Sequence, residues 1–567
     1  MLQFYDFEVF KYDWLVVIMS PSDKSRTIIV NDVEKLRSYY NEHKDDIWIG
    51  YNSRMYDQYI LKGILCGFNP KKINDWIIVE NKQGWMFSNL LRKYPLNNYD
   101  VMTSFHGLKQ LEGFMGNNIK ETSVDFNIDR KLTTEEINET IKYCIHDVEQ
   151  TIKVFIERKE DFDAQLGLIK KFKLPLNYIS KTKAQLSATI LGGVKRSYDD
   201  DEFDIEFLPC IRLEKYKEAM EWFKNPLNRN YDKEFELEVA GVIHSFGWGG
   251  IHGAKEKYHG TGLIIHVDVT SYYPSIMIEW NLGSRSATKW HLFKEIYDER
   301  VALKKAGKKK EQAPLKIVLN GTYGILKDKN NPLYDPKKAN DVCINGQLLL
   351  LDLIEKMESI KGFELIQSNT DGLIVKIPNT DEAFNELDDI CYEWEQRTRF
   401  GLGFDYIKEI YQGDVNNYLF VQNDGDIERK GAYVKELSCL DYDLPIINKA
   451  LVDYMINKVP IEVTINECDV FKDFQKIVKI SSKYHHGSHN GNILNDKTFR
   501  VFASKDVNDG VIFKHKTEIA KGEKFANTPE NCFIDNTDIN ETAIPNKLDK
   551  QWYIDLAYKR LQEKFGL

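Results

Sequence analysis

Four carboxylates in the N-terminal part of the chain have the types and spacing that phosphodiester chemistry uses. Asp6 and Glu8 lie two apart in the strand-like opening run, so both point to one face together with Leu2 and Phe4. Asp57 closes the segment Asn52-Ser53-Arg54-Met55-Tyr56-Asp57, which opens a helix just after the strand-like IWIGY at 47–51. Asp147 follows Tyr143 by one turn on a helix that starts with the capping box Thr133-x-x-Glu136. Behind that box Ile137, Ile141, Ile145, Val148 and Ile152 recur at helical spacing. Acids gathered from two strand-associated segments and a helix can hold two divalent ions about 3.5–4 Å apart, one activating water and one stabilising the leaving oxygen.

A second pair of acids lies in the middle of the chain. Residues 262–269 form a strand-like run ending at Asp268, and Pro274 stops the strand soon after. Two further β-rich runs, 363–368 and 373–377, flank Asn369-Thr370-Asp371-Gly372, which reads as a hairpin with Asp371 at its tip. Between these acids the pattern is helical from Leu292 to about Lys305, with Arg300 and Lys304 sharing a face. Ala306-Gly307 breaks it, and Pro314 suits the first turn of a second helix carrying Lys316, Asn320 and Tyr323 on one face. Three cations beside two carboxylates suit a triphosphate, because phosphoryl transfer is mostly charge stabilisation and positioning.

In order and spacing these segments resemble a compact, phage-type family B DNA polymerase, over roughly residues 4–435. Asp6-x-Glu8, Asn52-x₃-Tyr56-Asp57 and Tyr143-x₃-Asp147 are similar to the three exonuclease motifs of that family. DVTSYYPS (268–275) resembles motif A, KIVLNGTYG (316–324) motif B, and SNTDG (368–372) stands at motif C. Arg300-x₃-Lys304 resembles the fingers pair that grips the triphosphate, and Lys430-Gly431 the element that touches the primer–template duplex.

The resemblance implies roles. Asp6, Glu8, Asp57 and Asp147 would be exonuclease metal ligands, Tyr143 would orient the attacking water, and Asn52 with Tyr56 would hold a frayed 3′ strand. Asp268 and Asp371 would ligate both polymerase metals, with the Val269 carbonyl as a further ligand. Tyr273 would lie under the incoming sugar and exclude a 2′-OH, the group that tells RNA precursors from DNA precursors. Ser271, Arg300, Lys304, Lys316, Asn320 and Tyr323 would complete the nucleotide site. Implied cofactors are two Mg²⁺ per active site, with Mn²⁺ as a substitute. Implied partners are primer–template DNA, dNTPs, a helicase and a single-strand-binding protein, for a monomer that replicates phage or mobile-element DNA.

Several positions depart from the family pattern: Tyr272 for leucine in motif A, Gly321 for serine in motif B, Asn369 and Gly372 for aspartate and serine in motif C. Gly247 stands where the connector preceding motif A has a tyrosine. Two other readings share these residues: a DNA-trimming nuclease with a degenerate polymerase half, and an inert nucleic-acid scaffold. Intact Asp268, Tyr273, Lys316, Asn320 and Asp371 favour the polymerase. The intervals on either side of motif B are filled by the fingers helices, a loop (325–337), a helix near 338–358 and a strand. They leave no room for the added segments of protein-primed enzymes, so extension of an ordinary primer is expected.

The elements that must position these residues divide the chain. The expected fold is multidomain α/β and α+β, an RNase H-like exonuclease followed by a right-hand polymerase. The expected segments are an exonuclease domain (1–160), a helical connector (161–240), palm (241–290), fingers (291–326), palm again (327–435) and a thumb or C-terminal region (436–567). In the last segment HHGSHNGN (485–492) reads as a polar loop rather than a metal site. Length excludes a single compact unit among the 567 residues, and 42% hydrophobic with 29% charged residues is globular composition. The net charge of −10 argues against a generally basic DNA-coating protein; the exception is local, from Arg300 through Lys304, Lys305, Lys308, Lys309 and Lys310 to Lys316. Eight cysteines without a CxxC exclude a zinc ribbon and fit a reducing, cytoplasmic setting, the host bacterial cytoplasm for a phage protein. No window approaches a membrane span, and the first residues lack a signal-peptide pattern.

Overall fold

The computed structural model describes residues 1–103, 106–431 and 433–567. The chain forms two compact units, the first of Met1–Thr182, Leu437–Ile446 and Asn466–Tyr553, the second of Lys183–Glu436, Ile447–Ile465 and Ile554–Leu567. Among the described residues no helix is long and apolar enough to cross a membrane.

In the first unit β1 (Leu2–Val9), β2 (Trp14–Ser20), β3 (Ser25–Val30), β4 (Ile47–Gly50) and β5 (Asn97–Asp100) form one sheet in the order β3-β2-β1-β4-β5. The first three strands are antiparallel, whereas β1, β4 and β5 run parallel. Strands alternating with helices make this the α/β arrangement expected from the sequence. Alternation along β1 divides its side chains between two layers. Tyr5, Phe7 and Val9 enter a core with Val16, Ile18, Trp48, Ile60 and Ile64. Phe4, Asp6 and Glu8 therefore face the other side, toward helix Thr134–Glu157, where Phe4 meets Phe155 edge-on at 5.1 Å.

Residues beyond 436 do not form a unit of their own, which differs from the segmentation expected above. Residues 466–553 belong to the first unit. They carry β15 (Lys476–Lys479), β16 (His486–His489), β17 (Asn492–Leu494), β18 (Thr498–Ala503), β19 (Ile512–His515), β20 (Glu523–Lys524) and β21 (Cys532–Ile534). The physical reason is backbone pairing: Ile119 N–H donates to the Asn536 carbonyl at 2.8 Å, and Ile539 N–H to Gly116 at 3.0 Å. The segment 485–492 is not a loop but a hairpin of β16 and β17, turned by Asn490 and Gly491 with φ of 51° and 74°. Its histidines are absorbed locally: His486 stacks on His515 at 4.5 Å, and His489 hydrogen-bonds the Cys532 carbonyl at 2.8 Å.

The second unit is built on β6 (Glu234–Val239), β7 (Val242–Gly247), β8 (His252–Ala254), β9 (Tyr258–Val269), β10 (Glu364–Asn369), β11 (Gly372–Ile377), β12 (Leu402–Asp414), β13 (Asn417–Gln422) and β14 (Ile427–Lys430). They form one sheet in the order β14-β13-β12-β9-β11-β10-β8-β7-β6. The segment 161–240 is thus not a single helical connector. Helix Lys159–Lys171 belongs to the first unit, and β6 is an edge strand of the second. Phe235, Leu237 and Val239 alternate there with glutamates, a period-2 pattern that the acidic composition masks. Helices His291–Lys305 and Lys309–Ile325 are the expected pair, but the second starts before Pro314 and holds it in its interior. The ring removes one N–H, so the Lys310 carbonyl lacks its helical donor.

Arg500 is fully buried in the first unit. It donates to Gln475 Oε1 at 3.0 Å and to the carbonyls of Asp535, Thr537, Gly113 and Asn117 at 2.6–3.3 Å. Arg500→Ala strands these acceptors and opens a cavity. The expected loss is at least about 3 kcal/mol in urea unfolding, and a loss below about 1 kcal/mol would contradict this account.

Candidate active sites

The first site lies on the face of β1 that carries Asp6 and Glu8. Register places Asp6 opposite Val17 and Glu8 opposite Leu15, both buried apolar neighbours. Asp57 is the first residue of helix Asp57–Leu65 and accepts from Phe7 N–H at 3.1 Å, which ties the helix start to β1. Asp147 comes down from helix Thr134–Glu157, and Cys144 one turn earlier donates to the Asp6 carboxylate at 3.5 Å. All four acids therefore meet. Ligand atoms of Asp6, Glu8 and Cys144 lie within 4.8 Å of one another, as do those of Glu112, His146 and Asp147.

Burial and mutual repulsion dominate their titration. Burial, then Asp147, pushes Asp6 up to about 7. Burial raises Asp147 to about 6 despite Lys109. Burial, then Asp6, raises both Glu8 and Asp57 well above the usual carboxylate range. Tyr143 is driven up by burial and by Asp147, Glu8 and Asp6, which places its phenol among the acids.

Lys109, Glu112 and His146 escape sequence reasoning. Lys109 and Glu112 share a face of helix Leu108–Phe114, and Lys109 pairs with Asp147 and, at 3.0 Å, with Glu112. Its ammonium also lies 4.6 Å from the Tyr143 ring. The available signal was their i,i+3 spacing before a glycine-ended helix, which nothing in the sequence connects to Asp147. Asp100 is the other omission. At the end of β5 it accepts from Asn52 N–H at 2.9 Å and Arg54 N–H at 3.0 Å, and so holds the turn before Asp57. Asn52 is exposed in that turn with φ of 59°. Tyr56 is turned inward and donates to Asn74 at 2.8 Å, so its hydroxyl is already engaged.

The second site forms where β9 and the β10–β11 hairpin end together. Gly372 stands opposite Asp268, and Val269 N–H donates to the Asp371 carbonyl at 2.9 Å. The two carboxylates consequently project from adjacent strand ends. Partial desolvation, then Asp371, raises Asp268 to about 6, and desolvation raises Asp371 as well. Neighbouring side chains answer this charge, since His266 and Lys304 pull Asp268 down and His266 and Lys430 do so for Asp371. Asp405 faces His266 across β9 and β12 and adds to the acidic cluster.

Arg300 is brought to the site by two contacts, to Ser271 Oγ at 3.2 Å and to Gln312 Oε1 at 3.1 Å. Lys304, Lys316 and Asn320 are exposed, and Tyr323 packs on Tyr273 with ring centroids 4.3 Å apart. Lys430 ends β14, and Gly431 follows with φ of 97°, where a Cβ would strike the Asn416 carbonyl at 2.4 Å.

The motif departures acquire reasons here. A Cβ at Gly372 would lie 3.0 Å from His266 Nε2 and 3.1 Å from the Val267 carbonyl, so serine there would require these neighbours to give by a few tenths of an ångström. Asn369 pairs with His252 in register and directs its amide to the Val415 carbonyl at 3.5 Å. Tyr272 donates to the Gly346 carbonyl at 2.6 Å and packs edge-on against Phe400. Gly321 meets only Ser187 at 3.6 Å, and nothing in the structure requires glycine there.

No family model matches the chain. It is 25% identical over 202 residues to DNA polymerase 1 of Saccharolobus solfataricus, covering 35% of this chain and 21% of that protein. DNA polymerase 1 of Sulfurisphaera ohwakuensis is 27% identical over 206 residues, with the same coverage of 35% and 21%. The chain resembles DNA polymerases. The match spans about a fifth of the length of these relatives. The solved family B DNA polymerase from Pyrobaculum calidifontis aligns with a TM-score of 0.44 at 14% identity, over 99% of this chain and 77% of that one.

The carboxylates of both sites suit divalent cations, which would relieve the crowding of buried negative charge. Their folded pKa values lie above the unfolded ones, so ionisation costs stability that is lost as pH rises from about 4 toward 7. A bound cation recovers that loss only where the protons have left. The rise in melting temperature caused by saturating Mg²⁺ should therefore be larger at pH 8 than at pH 5.5, and should shrink in Asp6→Asn with Asp147→Asn. An equal rise at both pH values would mean that these acids do not form the cation site.

Proposed function

We propose that this protein is a DNA-directed DNA polymerase that adds dNTPs to a primer 3′ end and removes mispaired 3′ ends with a separate 3′→5′ exonuclease site. The observation that carries the reading is the meeting of Asp268 and Asp371 at adjacent strand ends beside Arg300, which reaches Ser271. Similarity to the archaeal DNA polymerases supports it.

In this reading Asp268 and Asp371, with the Val269 carbonyl, hold two Mg²⁺ ions, and Asp6, Glu8, Asp57 and Asp147 hold two more. Bound there, the ions supply the charge neutralisation that phosphoryl transfer needs. The protein's own groups do the rest. Arg300, steadied by Ser271 and Gln312, presents its guanidinium to the triphosphate, joined by the exposed Lys304 and Lys316. Tyr273, packed on Tyr323, lies under the sugar, and Asn320 borders the nucleotide. Lys430 and Gly431 track the duplex. In the exonuclease site Tyr143 orients water beside Asp147, and Asn52 holds the frayed strand with the Tyr56 ring.

The chain's short intervals around motif B support extension of an ordinary primer in a phage or mobile-element replicon. Helicase and single-strand-binding protein would act as partners.

Because the two sets of acids belong to different compact units, their activities separate. Asp6→Ala or Asp57→Ala abolishes excision of a mismatched 3′ end and retains extension of a matched primer, whereas Asp371→Ala does the reverse. Persistent extension by Asp371→Ala refutes the polymerase assignment. On a gapped template the unaided protein stalls at the downstream strand, and long displacement products would mean that another element opens duplex.

A further inference from the structure

Gly346 sits in the middle of helix Pro336–Met357, on a stretch where every residue from Ala339 to Ile354 is buried. Glycine is a poor helix former, so its presence there calls for a steric reason. A Cβ at Gly346 would lie 3.2 Å from Tyr273 Cε1, 3.3 Å from Ile276 Cδ1 and 3.4 Å from Tyr272 Cε1. One turn earlier, on the same face, stands the buried Cys343, whose thiol, after burial itself, raises the phenols of both Tyr273 and Tyr323. Gln347 completes that face and fastens it. Its amide donates to Cys343 Sγ at 3.3 Å and to the Gly247 carbonyl at 2.7 Å. Cys343 also meets the Gly249 carbonyl, so the glycine turn after β7 is anchored to the same spot.

A ring can exclude a hydroxyl only if it cannot retreat, and a packed interior resists retreat. We propose that Cys343 and Gly346 are positioning residues that seat the Tyr273 ring and thereby set sugar selectivity. This rests on the polymerase reading, in which Tyr273 lies under the sugar. Removing the sulfur leaves a void into which the tyrosines relax. Adding a methyl at Gly346 enforces a contact tighter than ordinary packing and lifts the ring off the helix.

The experiment measures kcat/KM for a ribonucleotide and its deoxy counterpart in single-nucleotide primer extension. Cys343→Ala should raise the ribo-to-deoxy ratio about tenfold, the scale on which a methylene-sized change discriminates substrates. Gly346→Ala should lower the ratio, acting through KM rather than kcat. Cys343→Ser, which keeps a polar group of similar size, should return the ratio to within about threefold of wild type. An unchanged ratio in both alanine variants, or a Cys343→Ser variant that behaves like Cys343→Ala, overturns the proposal. Mismatch excision by the same samples reports folding independently, and the serine variant decides the matter if an alanine variant loses both activities. If the wild type extends no primer, the polymerase reading itself fails; if it extends and the ratio does not move, only the seat fails.

Discussion

Carboxylates forced together away from water govern much of this molecule's design. Asp6, Glu8, Asp57 and Asp147 are packed between a sheet and a helix, where burial raises the proton affinity of all four and neighbouring acids add to it: Asp147 on Asp6, Asp6 on Glu8 and Asp57, and Glu112 on Asp147. Left uncompensated, such a cluster would simply hold protons. The protein tempers it with a partly buried ammonium, Lys109, and with the Phe7 N–H and Cys144 thiol as donors. These groups are weaker than two divalent ions, so the cluster remains a place where added cations gain most. The same balance recurs in the second unit, where His266, Lys304 and Lys430 temper Asp268 and Asp371.

Both sites use the sheet in the same way. Strand alternation separates the residues that build a core from those that face the chemistry, and strand ends deliver acids from distant parts of the chain to one place. In the first unit Tyr5 and Phe7 go into the core while Asp6 and Glu8 go to the other face. In the second, β9 and β11 are adjacent, so Asp268 and Asp371 meet across one register position although four helices intervene in sequence among the described residues. Glycine then appears where backbones and rings approach closely: Gly372 under His266, Gly346 under Tyr273. At both positions the missing side chain makes room for a neighbour that shapes the site.

Much of the candidate site was legible before any fold was known, because the spacing of its acids reflects strand and helix periodicity directly. Asp6-x-Glu8 is a statement about one strand face, and Tyr143-x₃-Asp147 about one helix turn. The capping box at Thr133 and the break at Gly307 likewise fall where local chemistry alone directs them. Local patterns misled where two signals competed. The glutamates of β6 hid a strand, the histidines and asparagines of 485–492 hid a hairpin, and Pro314 suggested a helix start where packing carries the helix through.

By itself the sequence determined which residue types stand at the sites, the elements that bear them and the resemblance to family B polymerases. Those properties depend on short-range periodicity, turns and caps, which a few neighbouring residues encode. Only the tertiary structure decided which groups answer the acids' charge, and where the C-terminal residues belong. Lys109 reaches Asp147, and Arg500 reaches Gly113 and Asn117, through pairings that no spacing rule predicts. The glycine at 346 is legible only once Tyr273 lies against it. Such contacts join residues far apart in the chain, and their geometry is set by the packing of whole elements rather than by any local propensity.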